Sequence, residues 1–148
     1  MTESGLPRAS VFIATSLDGF IAREDGAIDW LEGWSGDGDC GHSDFIASVD
    51  TLVLGRKSFE KVLTFGTWPY EGLRVVVLSS GSPAIPDALR SKIEVMNLPP
   101  EDCLRQLGAT GSRHVYVDGG VTIQRFLRAG VIQDVTLTRT PVLIGSGL

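Results

Sequence analysis

Three short stretches combine residues suited to holding an anion. Gly55-Arg56-Lys57-Ser58 follows the apolar run "TLVL", Ser79-Ser80-Gly81 follows "VVVL", and Asp118-Gly119-Gly120-Val121-Thr122 follows "VYV". Glycine lets a phosphate approach the backbone closely, and Arg56, Lys57, Ser58 and Thr122 offer donors. Two glycine-opened helix starts and a serine pair suit a ligand with separated phosphates. Each stretch alone also reads as an ordinary strand-to-helix turn with solvated cations.

Candidate acids lie elsewhere. Asp18 precedes Gly19 at the end of an apolar run, where it is either an active-site acid or a turn former. Asp37, Asp39 and Asp44 follow in "GDGDCGHSD". Trp30, Trp34 and Trp68 are candidates to wall a ring-binding pocket, with simple burial as the competing reading. Residues 36 to 41, "GDGDCG", satisfy G-x-G-x-x-G, but they follow a polar loop instead of a strand, and two aspartates would repel a diphosphate. Asp37, Asp39, Cys40 and His42 fall short of a calcium loop or a zinc set, so no metal is expected. His114 is assigned no role. Walker A, nucleophile-elbow and H-E-x-x-H motifs are lacking, which leaves hydrolase and kinase readings without support.

The elements that must carry these residues follow from periodicity. "SVFIATSL", "TLVLG", "LRVVVLSS", "KIEVMNL" and "HVYVDGG" read as strands, and "DVTLTRTPVLIG" alternates Val135 and Leu137 with threonines, as a strand with one wet side would. A long loop spans 20 to 42, a short helix follows Ser43, and a helix near Lys57 carries Phe59, Val62 and Leu63 on one side. A weak helix follows Pro86. Pro100 opens another with Leu104 and Leu107, and "VTIQRFLRAG" presents Ile123, Phe126 and Leu127 before Gly130 as its C′ residue. Alternating strands and helices predict an α/β fold of three layers, a mostly parallel sheet flanked by helices on both faces.

Bulk properties narrow the partners. A 148-residue chain suffices for one domain, expected over 1–148 with a flexible leader at 1–8. A net charge of -5 argues against broad attraction to nucleic acid or anionic lipid. No apolar run reaches membrane-spanning length, no signal peptide is evident, and two cysteines give no disulfide framework. The expectation is a cytoplasmic protein. After "LIGSGL" no strand remains to cover the sheet edge, so the expectation is either missing C-terminal strands or an unusual terminus.

"VFIATSLDGFIA", "LVLGRKSFE", "VVVLSS" and "VYVDGGVTIQRFLRAGVIQDVTLTRTPVLIG", in that order, resemble the dihydrofolate reductase-like superfamily, most closely the RibD C-terminal domain branch of riboflavin biosynthesis. The resemblance covers roughly residues 9 to 148. It implies NADPH as cofactor, with its diphosphate on Gly55, Arg56, Lys57, Ser58, Gly119, Gly120, Val121 and Thr122. Leu78, Ser79 and Ser80 match the strand end beside the adenosine ribose, whose 2′-phosphate is read with Arg56. Ala14 and Ile21 match residues flanking the nicotinamide, Asp18 the "SLDG" signature near substrate, and Trp30 a pocket wall. Dimers are common in that branch, so a homodimer is expected. The carboxylate that dihydrofolate reductases place early in the helix after that tryptophan has no clear counterpart among Asp37, Asp39 and Asp44, which weakens a pterin-reductase reading.

Two functions therefore stand against each other. One is an NADPH-dependent reductase of a ribosylaminopyrimidine or related heterocycle, with Asp18 as proton donor. The other is a nucleotide-binding module without turnover.

Overall fold

The computed structural model describes residues 5–31 and 41–148. Asp37, Asp39, Trp34 and Cys40 lie outside the described residues, and the candidates placed on them are carried no further. Six strands, β1 (Arg8–Thr15), β2 (Thr51–Gly55), β3 (Arg74–Leu78), β4 (Ile93–Met96), β5 (His114–Asp118) and β6 (Asp134–Arg139), form one sheet in the order β4-β3-β2-β5-β1-β6. Every pairing is parallel. The helices are α1 (His42–Ser48), α2 (Arg56–Leu63), α3 (Pro100–Ala109) and α4 (Gly120–Arg128).

Period-two side-chain alternation sends each strand's residues to opposite faces. Val53, Val76, Val115 and Val117 meet Leu104 of α3 and Phe126 of α4 on one face. Leu52, Leu54, Val75 and Val77 meet Phe59 of α2 and the edge of α1 on the other. Strands buried on both sides need apolar residues at consecutive positions, which is why "LVL" and "VVV" show no alternation. Phe59 and Phe126 are 0% exposed, and burying each contributes about 1.5–3 kcal/mol.

Helix ends follow local chemistry. Pro100 opens α3, where its missing N–H costs nothing. At the end of α4, Gly130 adopts φ 72° and donates to Leu127 O at 3.0 Å while Val131 donates to Phe126 O at 3.3 Å. That is the Schellman arrangement its glycine predicts.

Four expectations need correction. The segment before residue 8 is not a loose leader from residue 6 onward: Leu6 is buried, and Pro7 packs on Gly108. The weak helix after Pro86 is a single 3₁₀ turn, Asp87–Leu89. The last strand stops at Arg139, where Pro141 approaches, and 142–148 turns back along residues 17–22. Val135 and Leu137 are 48% and 51% exposed, because β6 is an edge strand and the helices cover its neighbours.

At the end of the sheet where β1 and β5 begin, His114 gains a partner set that its sequence position does not announce. Ser10 Oγ, fully buried, lies 2.7 Å from His114 Nε2 and donates to Asp134 Oδ1 at 2.5 Å. His114 Nδ1 lies 2.9 Å from Ser48 O. Three strands and α1 are stapled there.

Candidate active site

β2 and β5 are neighbours, with Leu54 opposite Asp118, so their carboxyl ends deliver Gly55 and Gly119 to the same place. Neither glycine has a side chain to cap the helix it starts, and neither α2 nor α4 has any side-chain cap. First-turn N–H groups of both helices are thus left for another acceptor, with the partial positive charge of two helix starts behind them.

The space is tight. A methyl group on Gly55 would lie 2.8 Å from Thr122 Oγ1, and one on Gly119 would lie 2.5 Å from Ser58 Oγ and 3.7 Å from Gly55 N. One on Gly120 would meet Ile21 Cδ1 at 2.7 Å. Gly119 also sits at φ 93°, ψ 129°, where side chains are scarcely tolerated. Gly55, Ser58, Gly119, Gly120, Thr122 and Ile21 therefore form one contiguous cradle where the two turns meet.

The other candidate residues have surroundings of their own. Arg56 pairs with Glu60 at 2.8 Å across an exposed helix turn, a contact worth about 0–1 kcal/mol and easily exchanged for an anion. Lys57 and Val121 are exposed in the first turns of α2 and α4. Leu78 ends β3 beside Gly55, and Ser79 follows with its Oγ accepting from Gly81 N at 3.2 Å, while Ser80 is exposed. Ala14 is half-buried on β1, next to β5. Trp30 is buried, and among the described residues its Nε1 has no hydrogen-bond partner. Asp44 is exposed on α1.

Asp18 does not have the surroundings of a proton donor. Its carboxylate accepts from Ser16 Oγ at 2.5 Å, Gly145 N at 2.8 Å and Ile144 N at 3.4 Å. The Ser16 bond above all holds it below the usual carboxylate range. A carboxylate surrounded by donors is stabilised as the anion.

Asp118 has the opposite setting, and the sequence reading missed it as an acid. The residue keeps some surface in solvent at the turn, yet its carboxyl group is crowded. That burial pushes its pKa up, opposed by the Gly119 N–H at 2.9 Å and the charge of His42. The same Asp118 charge reinforces burial in raising the phenols of Tyr70 and Tyr116. The available signal was a carboxylate closing a fully apolar strand, "VYVD". Close by, Phe12 stacks on Phe45 with centroids 5.0 Å apart and meets His42 edge-on at 5.6 Å, and Phe45 meets Tyr116 at 4.9 Å. The arrangement offers an anion cradle beside a carboxyl able to hold a proton, next to an aromatic wall.

A hollow of about 410 Å³ lies elsewhere, beside the start of β3 and away from the glycine turns. It carries no such chemistry, since Arg74 pairs with Glu94 at 2.6 Å and Lys92 with Glu71 at 2.5 Å. Among the described residues no three His, Cys, Asp or Glu converge as a metal set, and no helix is long and apolar enough to cross a membrane.

Comparison with known proteins agrees with the fold. A crystal structure of a Shewanella sp. PV-4 protein assigned to riboflavin biosynthesis superposes with a TM-score of 0.87 at 39% identity, covering 95% of this chain and 81% of that one. The uncharacterized Bacillus subtilis protein YwjB is 35% identical over 142 residues, 93% of this chain and 79% of its own. Schistosoma mansoni dihydrofolate reductase shares the fold, with a TM-score of 0.67 at 14% identity over 97% of this chain and 79% of that one. The sequence profile of the RibD C-terminal domain matches residues 7–148, and the chain belongs to that family.

Proposed function

We propose that this protein is an NADPH-dependent reductase that delivers a hydride to a small heterocycle of the ribosylaminopyrimidine kind. The observation that carries the reading is the meeting of two uncapped, glycine-opened helix starts in one cradle. Membership of the RibD C-terminal domain family supports it. NADPH would supply the hydride; the protein binds, orients and excludes water.

Gly55, Gly119 and Gly120, with Ser58, Val121 and Thr122, would hold the diphosphate. Arg56 and Lys57 would bind the same diphosphate, and Leu78, Ser79 and Ser80 would lie beside the adenosine ribose, whose 2′-phosphate Arg56 would read. Ile21 and Ala14 would flank the nicotinamide, and Trp30 would wall the substrate. Asp118 replaces Asp18 as the proposed proton donor, since its raised pKa keeps a proton available nearer neutral pH. A cytoplasmic homodimer completes the proposal, the apolar edge at Val135 and Leu137 being the surface that favours pairing.

The test is a titration followed by an assay. NADPH at a hundredfold over its Kd should stabilise the protein by about 2.7 kcal/mol. Adding a ribosylaminopyrimidine should then consume the reduced-nicotinamide absorbance. Stabilisation without consumption across pyrimidine and pterin substrates would establish the binding module instead, and no stabilisation would overturn both readings.

A further inference from the structure

The residue predicted as an acid has a different task in the geometry. Asp18 accepts three hydrogen bonds, two of them from the backbone of residues 144 and 145 and one from Ser16, whose Oγ in turn accepts from Phe20 N at 3.0 Å. An ionised carboxylate suits that position because every neighbour is a donor and it is acceptor-only.

Around it the segment 142–148 is laid along the loop 16–22. Leu17 N donates to Val142 O at 2.7 Å, Ile21 N to Leu148 O at 2.9 Å, and Leu148 N to Ala22 O at 2.9 Å. Gly147 packs directly on the Ala22 carbonyl and Phe20, with no room for a side chain. The loop so fastened carries Ile21, whose Cδ1 occupies the space that a Gly120 side chain would take. A continuous line of contacts therefore runs from the Asp18 carboxylate, through paired backbone, to the turn that opens α4.

We propose that Asp18 is a positioning residue: its carboxylate clamps segment 142–148 onto loop 16–22 and thereby holds Ile21 against the Gly120 turn. This rests on the cofactor reading given above, because the held wall is the one that would border the nicotinamide side of NADPH. Asp18 transfers no proton in this scheme. It sets how well the wall is formed before the cofactor arrives.

The test compares the wild type with Asp18→Asn and Ile21→Ala. Asparagine keeps the shape but offers an N–H₂ group where Gly145 or Ser16 needs an acceptor. In the protein without ligand, amide exchange at Gly145, Ile21 and Leu148 should quicken roughly tenfold in Asp18→Asn, as expected when one charge-assisted contact is lost. NADPH binding, followed by tryptophan fluorescence, should weaken by about the same factor, and KM for NADPH should rise more than kcat falls. Ile21→Ala should weaken NADPH binding while leaving exchange at Gly145 slow. Unchanged exchange in Asp18→Asn overturns the clamp. A loss of kcat with unaltered NADPH affinity makes Asp18 the proton donor after all. Failure of the wild type to bind NADPH overturns the cofactor reading and with it the role of the wall, and the exchange arm still decides whether the clamp exists.

Discussion

Replacing Gly119 by alanine tests the junction on which the cradle depends. At φ 93°, ψ 129° an alanine is strained by about 1–3 kcal/mol. Its methyl group would also stand 2.5 Å from Ser58 Oγ and 3.3 Å from Ser58 Cβ. Turning the Ser58 hydroxyl aside relieves the nearer contact at about 0.5–1.5 kcal/mol of rotamer strain. The expected loss is therefore about 2–4 kcal/mol, a large part of the 5–15 kcal/mol typical of a whole domain. Urea unfolding with an unchanged m-value reads it directly. Gly130→Ala is the comparison: it has positive φ but open space around it, so only backbone strain of about 1–2 kcal/mol applies. In the Ser58→Ala background the Gly119→Ala penalty should shrink by the rotamer share, leaving the dihedral share intact. A Gly119→Ala loss under about 0.5 kcal/mol, the surface-substitution range, would refute the reasoning, as would the absence of coupling to Ser58.

Asp118→Asn separates stability from function. Burial raises the folded-state pKa above the unfolded one, so the stability linked to Asp118 is full below the unfolded pKa and is lost as pH rises through the folded pKa. Asparagine should therefore make the protein more stable than wild type at pH 8, with the gap closing in acid, while turnover falls; denaturant curves across pH and an NADPH-consumption assay check both. Ser10→Ala should cost about 0.5–1.5 kcal/mol in urea unfolding, because the half-buried His114 and Asp134 lose the buried hydroxyl that bridges them. Phe126→Ala, at a fully buried site, should cost about 3–5 kcal/mol and loosen α4 from the sheet, read by thermal unfolding.

Local chemistry wrote most of the fold into the chain. Runs such as "LVL" and "VVV" can be satisfied only in a sheet covered on both faces, and Pro100 and Gly130 mark helix ends through their own backbone preferences. Gly55 and Gly119-Gly120 were readable as helix-opening turns because glycine at a strand exit supplies no side-chain cap whatever surrounds it. The end of β6 and the path of 142–148 were not readable, since those bonds join residues more than a hundred positions apart.

The two aspartates show the division most sharply. The sequence determined that Asp18 and Asp118 each follow a buried strand and precede glycine, a pattern that leaves them chemically alike. Tertiary structure decided that one is ringed by hydrogen-bond donors and the other is crowded by burial. A carboxyl group's proton affinity depends on solvation and on charges and donors within a few ångströms, and those neighbours come from distant parts of the chain.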